Sequence, residues 1–198
     1  GHDGTTKDTT YENVQARFRT YTLMNYANKQ KAIVIGTSDM SEIALGWSTF
    51  NGDQMAMYAL NSGLPKTVVK EVISHYRHLY PEIKSILESI LEAKISPELA
   101  DENQETEAVL GKFEINDFIL YRFLVNGDEG LRIVYLLQEV FGLSLQNAKN
   151  YVDNFFERFY SQQYKRLTMP EGVKILEISL SPRSELKLNG DLYPPQKQ

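Results

Sequence analysis

The chain has 198 residues, of which 42% are apolar and 24% are charged, and its formal net charge is −5. This length and apolar content are enough for one substantial hydrophobic core, so we expect a single domain. The charge leaves no basic surplus for nucleic-acid phosphates, and no apolar run approaches the roughly 20 residues that a membrane-spanning helix needs.

The residue types narrow the chemistry further. Cysteine is absent and histidine occurs three times, which excludes disulfides, thiolate metal sites and a cysteine nucleophile, and disfavours a histidine metal cluster. No charged segment followed by an apolar run marks a signal peptide. We therefore expect a cytoplasmic protein with neither a nucleic-acid nor a membrane partner.

The first predicted elements are a long helix and one buried strand. The polar N-terminal residues are typical of a linker, and Thr10 suits the N-cap of a helix that reaches about Lys29. Its apolar residues near one face are Val14, Phe18, Tyr21 and Ala27. The β-branched run from Ala32 to Ile35 then stops at a glycine, which is how a buried parallel strand leads into a helix.

The turn after this strand is the candidate site. Ligands bind at the carboxyl ends of strands in parallel sheets. Thr37, Ser38 and Asp39 stand where unpaired N–H groups and the helix dipole favour an anionic group such as phosphate. Glu42 follows Asp39 by three residues, a spacing that on its own favours a capping box over a binding role.

The rest of the chain predicts a long loop and several helices. Residues 46–63 are too irregular for a strand and too long for a simple connector, which is typical of a functional loop. Residues 96–111 are acidic and expected to be exposed, and alternation over residues 173–179 predicts a short edge strand. Helices are predicted over about 65–79, 81–94, 114–125, 129–141 and 145–164.

One imbalance bears on the fold class. A parallel sheet cannot consist of one strand, yet the residues before position 170 show one buried-strand pattern. Either the chain is a helical domain with a stray strand, or the other strands lie in sequence that it does not contain. The polar first ten residues favour the second view, so we expect a C-terminal piece of a larger enzyme.

A series of motifs, in order along nearly the whole chain, resembles the NAD synthetase family. The motifs are Tyr11-Glu-Asn-Val-Gln-Ala-Arg17, Ile35-Gly-Thr-Ser-Asp-Met-Ser-Glu-Ile-Ala-Leu-Gly-Trp47, Asn51-Gly-Asp-Gln54, Pro65-Lys-Thr67, Ile95-Ser-Pro-Glu-Leu99, Asp117-Phe118, Arg158-Phe-Tyr160, Lys165-Arg166 and Ser181-Pro-Arg183. The resemblance is strongest to the synthetase half of the long, glutamine-dependent form, in which an N-terminal glutaminase domain supplies ammonia.

This resemblance implies an α/β fold of the Rossmann-related, adenine nucleotide α-hydrolase-like type. Residues 1–198 would be an incomplete, helix-rich C-terminal portion of the amidoligase domain. The implied reaction is the ATP-dependent amidation of deamido-NAD to NAD, in which the nicotinate carboxylate is adenylated and ammonia displaces AMP. It further implies ATP as a substrate, Mg²⁺ as a cofactor and a homo-oligomer.

The resemblance also implies binding residues, although it assigns no catalytic residue. Those for deamido-NAD are Asn13, Arg17, Glu42, Trp47, Ser48, Thr49, Phe50 and Lys165. Those for ATP are Thr37, Lys66 and Ser96, and Glu42 is also the implied magnesium ligand.

Each of these residues has an ordinary structural alternative. An isolated arginine such as Arg17 is usually solvated, and Trp47 on an apolar face is usually part of a core. Ser96 before a proline suits a helix cap, and Lys165 suits a charge at a helix end. For Lys66 at a helix start the dipole disfavours a cation, which favours the functional interpretation.

Two departures from the family bear on activity. The family's phosphate loop, Ser-Gly-Gly-x-Asp-Ser, is missing, because no Gly-Gly pair occurs in the chain, and the glutaminase cysteine is absent as well. Ser38 stands where many relatives of the long form carry glycine, a smaller departure. We therefore expect residues 1–198 alone to make no NAD.

The alternative functions are another ATP-pyrophosphatase amidoligase, such as GMP synthetase or an asparagine synthetase, and a non-catalytic helical interaction module.

Overall fold

Helices predominate in the computed structural model, which describes residues 2–93 and 106–193. The helices are α1 (Thr9–Gln30), α2 (Met40–Leu45), α3 (Lys66–Leu79), α4 (Lys84–Glu92), α5 (Thr106–Leu110), α6 (Phe113–Leu124), α7 (Gly130–Phe141), α8 (Leu145–Ser161) and α9 (Gln163–Arg166), with a 3₁₀ turn at Pro81–Ile83. The strands are β1 (Ile35–Gly36) and β2 (Tyr58–Ala59). None of the described helices is long and apolar enough to span a membrane.

The sheet is much smaller than the apolar run from Ala32 to Ile35 predicts, because each of its two strands has only two residues. β1 pairs in parallel with β2, with Ile35 opposite Tyr58. The predicted strand at 32–35 is therefore wrong in extent, because β1 keeps only Ile35 of that range and adds Gly36. Ile33 and Ile35 are 61% and 47% exposed, so this run lacks the cover that a buried parallel strand needs.

The two other sheet expectations also need correction. The loop over 46–63 contains β2, which the irregular composition concealed. The predicted edge strand at 173–179 does not form among the described residues. One isolated parallel bridge, between Ala59 and Gly172, lies just before it. There the Ala59 N–H donates to the Glu171 carbonyl at 2.7 Å.

Helix α1 forms as predicted, but its cap and its buried face differ. Asp8, not Thr10, is the N-cap, and its carboxylate accepts a hydrogen bond from the Tyr11 N–H at 2.9 Å. The predicted apolar face is wrong for three of its four residues: Ala27 is buried, but Val14, Phe18 and Tyr21 are 58%, 67% and 68% exposed.

Small residues of α1 make its contact with the body of the protein instead. Ala16 and Ala27 are the buried residues of this helix. The Thr20 hydroxyl donates to the Gly52 carbonyl at 2.6 Å. The helix therefore lies close against the loop before β2 and leaves its large side chains outside.

The core lies between α2, α6, α7 and α8. Its larger buried side chains are Met40, Leu45, Phe113, Ile119, Leu120, Ile133, Leu137, Phe155, Phe159 and Leu180. The α8 rings pack edge-to-face on Phe123 of α6, with a centroid distance of 5.5 Å between Phe123 and Phe159. Because three of the four buried residues of α2 are apolar members of this core, the core fixes the helix that follows the candidate strand.

The remaining helices confirm their predictions with three exceptions. The predicted helix over 81–94 begins as the 3₁₀ turn Pro81–Ile83 and continues as α4 to Glu92. The predicted helix over 145–164 is interrupted at Gln162, and the break turns Gln163 and Arg166 of α9 inward, where both are buried. In the predicted exposed segment, residues 106–110 form α5 with Thr106 and Leu110 buried, and residues 96–105 lie outside the described part of the chain.

Gly46, the C-cap of α2, provides a test of this packing. Its φ is +59°, and a Cβ there would lie 2.3 Å from Cβ of Gln162. Gly142, the C-cap of α7, has a similar φ of +64° and open space around it. We expect Gly142→Ala to cost about 1–2 kcal/mol, the usual strain of the left-handed region.

Gly46→Ala should cost clearly more than Gly142→Ala, since α9 must also move away from α2. Urea unfolding of both variants measures the difference. Equal losses would show that α2 and the α8–α9 junction are not tightly packed.

Candidate functional site

The turn between β1 and α2 forms the capping box that the spacing favours. The Asp39 carboxylate accepts a hydrogen bond from the Glu42 N–H at 3.0 Å, and the Glu42 carboxylate accepts one from the Asp39 N–H at 3.3 Å. Both carboxylates are thereby held at the start of α2. The capping role is confirmed, and it leaves part of each carboxylate available for a second partner.

That second partner is Lys66, the first residue of α3. Its ammonium group lies 2.6 Å from Oδ2 of Asp39 and 2.8 Å from Oε1 of Glu42. It also lies over the ring of Phe113, 5.2 Å from the centroid. The arrangement joins two helix N-termini through one cation and places the Lys66 side chain behind Glu42.

A third carboxylate, Asp117 of α6, extends this network. It accepts hydrogen bonds from the Ser41 hydroxyl and, at 3.0 and 2.7 Å, from the Thr67 N–H and hydroxyl. The Ser41 oxygen in turn accepts the Lys66 N–H at 2.8 Å. Asp117 therefore ties α2 and α3 to α6. Sequence reasoning missed this role, although the Asp117-Phe118 motif was the available signal.

Burial governs the electrostatics of this network. It raises the pKa of Asp39 and of Asp117, and it raises the pKa of Glu42 together with the charge of Asp39. Burial alone would lower the pKa of Lys66, but the two carboxylates outweigh it and raise that pKa. The lysine is therefore charged at neutral pH, and the carboxylates compete for it.

Nine of the eleven residues assigned by resemblance line one cavity of about 680 Å³. They are Asn13, Arg17, Thr37, Glu42, Trp47, Ser48, Thr49, Phe50 and Lys165. Lys66 is not on the wall but contacts Glu42 from behind, and Ser96 lies outside the described residues. Residues that sequence reasoning did not assign complete the wall, among them Glu12, Asp53, Arg158, Gln162 and Tyr164.

Helix α1 and the loop after α2 form one side of this cavity through direct contacts. The Thr49 hydroxyl donates to Oδ1 of Asn13 at 2.9 Å. Nε of Arg17 donates to the Phe50 carbonyl at 3.2 Å. These two contacts join residues that are separated by 33 and 36 positions in the chain, and they bring them onto the same wall of the cavity.

The opposite side comes from α8 and α9. Lys165 donates to the carbonyls of Gly46 and Ser48 at 2.8 and 2.6 Å, and burial lowers its pKa. The Arg158 guanidinium lies over the indole of Trp47, 5.5 Å from the centroid. Trp47 itself is half-buried and packs against the core. It therefore serves as part of the core and also lines the cavity.

The wall chemistry suits a large anionic ligand that has an aromatic part. Arginine and lysine side chains and hydroxyl groups favour phosphate and carboxylate groups, and the aromatic residues offer flat apolar contact. Among residues 2–93 and 106–193, no group of three or more His, Asp or Glu side chains could hold a metal ion.

A short parallel sheet with a capped helix at its carboxyl end places the chain in the α/β class, here helix-rich with a small sheet. The chain belongs to the NAD synthase family, whose profile matches residues 2–169. The part it shares with curated relatives is the synthetase domain.

Two curated relatives illustrate the match. The chain is 35% identical over 214 residues to a glutamine-dependent NAD(+) synthetase of Mycobacterium leprae, covering 93% of the chain and 32% of that protein. It is also 35% identical over 166 residues to an NH(3)-dependent NAD(+) synthetase of Fusobacterium nucleatum, covering 82% of the chain and 56% of that protein. The chain spans about a third of the length of the glutamine-dependent relatives.

Solved structures support the fold. A glutamine-dependent NAD(+) synthetase from Cytophaga hutchinsonii superimposes with a TM-score of 0.74 at 19% identity, over 94% of this chain and 29% of that one. An NMN synthetase from Francisella tularensis gives 0.53 at 21% identity, over 88% and 57%. These likenesses fit the expected α/β, adenine nucleotide α-hydrolase-like class, here helix-rich with a small sheet.

The raised pKa of Glu42 generates a pH prediction. Because its pKa in the folded state exceeds its ordinary 4.5, its contribution to stability is complete below pH 4.5 and is lost as the pH rises through the folded pKa. Glutamine cannot ionise. The unfolding free energy of Glu42→Gln minus that of the unsubstituted chain should therefore rise between pH 4.5 and 7.5, by about 1.4 kcal/mol per pKa unit.

Urea unfolding across this pH range measures the difference. Glu139→Gln, on the exposed face of α7, is the matched control and should show no such trend. A difference that stays flat or falls would mean that Lys66 outweighs burial at Glu42.

Proposed function

We propose that residues 1–198 form the dinucleotide-binding part of an enzyme that amidates deamido-NAD to NAD with ATP. The observation that carries this proposal is the cavity of about 680 Å³, in which residues from α1, the turn after β1, the loop after α2, and α9 converge. The membership of the NAD synthase family supports the same reaction.

The reaction explains why the cavity wall is polar and carries several cations beside its carboxylates. A carboxylate reacts poorly with an amine until one of its oxygens becomes part of a good leaving group. Transfer of the AMP moiety from ATP to the carboxylate, with release of pyrophosphate, supplies that group. The enzyme must then hold two anionic nucleotides side by side, which requires cations and N–H donors to offset their repulsion. Arg17, Arg158 and Lys165 on the wall supply positive charge for this purpose.

Within this scheme the wall residues divide by substrate. Deamido-NAD contacts the α1 residues, the loop from Trp47 to Phe50, and Lys165, with Glu42 at the mouth of the strand. ATP contacts Thr37 in the same turn and Lys66 at the start of α3. Ser96 completes the ATP set. Ammonia, derived from glutamine in a glutaminase domain, attacks the adenylated carboxylate and releases AMP.

The donor set fits magnesium only in part. Mg²⁺ is usually held by one or two carboxylates together with substrate phosphates. Glu42 is the cavity-lining carboxylate that we propose as a ligand, and Lys66 already contacts its Oε1 at 2.8 Å. When bound, the ion neutralises charge on the phosphates, while Lys66 holds the Glu42 carboxylate in place.

The gene gives the first test, because a Ser-Gly-Gly-x-Asp-Ser segment encoded upstream would supply the missing phosphate loop. The polypeptide that contains both parts should make NAD from deamido-NAD, ATP and ammonia, and residues 1–198 alone should make none. Without such a segment, the proposal loses ground to a non-catalytic helical module. Turnover by residues 1–198 alone would refute our assignment of the phosphate loop as essential.

Glu42→Gln in the polypeptide that makes NAD separates binding from capping. If Glu42 were only a capping residue, its substitution would cost up to about 1 kcal/mol of stability and leave activity nearly intact. We expect instead a loss of at least about a hundredfold in kcat/KM, or about 2.7 kcal/mol of transition-state stabilisation, in a folded protein. Normal kinetics with a lowered melting temperature would refute the role in catalysis, and Glu139→Gln is again the control.

The exposed side of α1 supports a homo-oligomer. Val14, Phe18, Tyr21, Leu23 and Tyr26 are each more than half exposed. These exposed side chains are spread around the helix, which favours a protein interface, and a contact with further strands of a larger synthetase domain would explain them equally well. An interface there would bring Asn13 and Arg17 of the same helix next to the partner subunit. Glutamate at Tyr21 and Tyr26 should shift sedimentation towards the monomer. A protein that is monomeric before substitution and still binds deamido-NAD would contradict this proposal.

A further inference from the structure

Arg166 is a charged side chain that the proposed function does not use. It lies on α9, is 1% exposed, and is the largest fully buried side chain in the described part of the chain. Its Nη1 donates to the carbonyls of Ile43 and Ala44 at 3.3 and 2.9 Å. Its Nη2 donates to the Phe159 carbonyl, and its Nε donates to Oε1 of Gln163 at 2.7 Å.

A guanidinium buried without a carboxylate is costly, and its acceptors show what offsets the cost. Burial lowers the pKa of Arg166 to about 10, so the group is charged at pH 7. The last carbonyls of a helix lack intrahelical partners and carry partial negative charge, which a cation compensates. Ala44 supplies such a carbonyl at the end of α2. The Ile43 carbonyl, which also accepts a long hydrogen bond from the Gly46 N–H at 3.4 Å, supplies a second acceptor. The Gln163 amide that completes the set is itself oriented by donating to the Leu188 carbonyl at 3.0 Å.

Two neighbouring cations continue the pattern along the chain. Arg158 donates to the Leu45 carbonyl at 3.4 Å, and Lys165 donates to the carbonyls of Gly46 and Ser48. Three side chains from α8 and α9 therefore satisfy the carbonyls of residues 43–46 and 48. Arg158 and Lys165 line the cavity of about 680 Å³, whereas Arg166 does not. Arg166 instead lines a much smaller pocket of about 20 Å³, which shares Glu42 and Trp47 with that cavity.

The backbone that these cations hold leads directly into the cavity wall. Gly46 is followed by Trp47, whose indole lies under Arg158. A shift of the α2 carbonyls would move Gly46 against Gln162, where no room exists for an added Cβ. The position of the Trp47 indole thus depends on the hydrogen bonds from α9 side chains to the carbonyls at the end of α2.

We propose that Arg166 is a positioning residue, which fixes residues 46–50 through the Ile43 and Ala44 carbonyls and so presents Trp47 to the dinucleotide without touching it. The dinucleotide part of this inference rests on the proposed function. The loop-positioning part rests on the contacts alone.

The test uses Trp47 as an internal reporter, because it is the only tryptophan in the sequence. Arg166→Met keeps the length of the side chain but removes every donor, and Arg166→Lys keeps the charge with one donor group. Arg132→Met, on an exposed face of α7, is the matched control. Emission spectra and acrylamide quenching are recorded at temperatures where far-UV circular dichroism shows a folded protein.

We expect a red-shifted and more quenchable Trp47 in Arg166→Met, an intermediate shift in Arg166→Lys, and no change in Arg132→Met. The Kd for deamido-NAD should rise about tenfold in Arg166→Met, which corresponds to about 1.4 kcal/mol, and should partly recover in Arg166→Lys. A purely structural arginine would lower the melting temperature without changing the emission of the folded protein.

An unchanged Trp47 emission in folded Arg166→Met would overturn the inference. If that variant does not fold, Arg166→Lys decides in the same way. An unsubstituted protein that does not bind deamido-NAD, with the emission changes still present, would overturn the dinucleotide assignment of the proposed function while supporting the positioning role.

Discussion

Helix α2 has six residues, and the rest of the site depends on holding it still. Isolated helices of this length are not stable in water, so packing and end contacts must supply the stability. Buried charge does this at both ends, with Lys66 between Asp39 and Glu42 at the N-terminus and Arg166 on the carbonyls at the C-terminus. The apolar face of α2 is held between them by the core.

The sequence predicted what depends on neighbours in the chain. The strand-to-helix turn, the capping box and most helix boundaries follow from short spacings, and the structure confirms them. The ordered motifs pointed to residues that prove to share one cavity. The roles of these cavity-lining side chains in binding remain predictions, because the fold shows where the side chains lie and not which ligand they bind.

The contacts that sequence reasoning missed join residues far apart. The Lys66–Glu42 pair spans 24 positions, the hydrogen bond from Ser41 to Asp117 spans 76, and that from Arg166 to Ala44 spans 122. No local periodicity reports which buried charge meets which helix end. The predicted extent of β1 was wrong for a related reason. The length of a strand is set by the strands that pair with it and not by its own apolar residues.

Ionic contacts at both ends of α2 also have a functional consequence. Capping by Glu42 and binding through Glu42 are compatible, because the Oε2 atom caps the helix while Oε1 faces Lys66. The lysine offsets part of the repulsion between Glu42 and Asp39. The same ion pair that stabilises the turn therefore also holds the Glu42 carboxylate at the cavity wall.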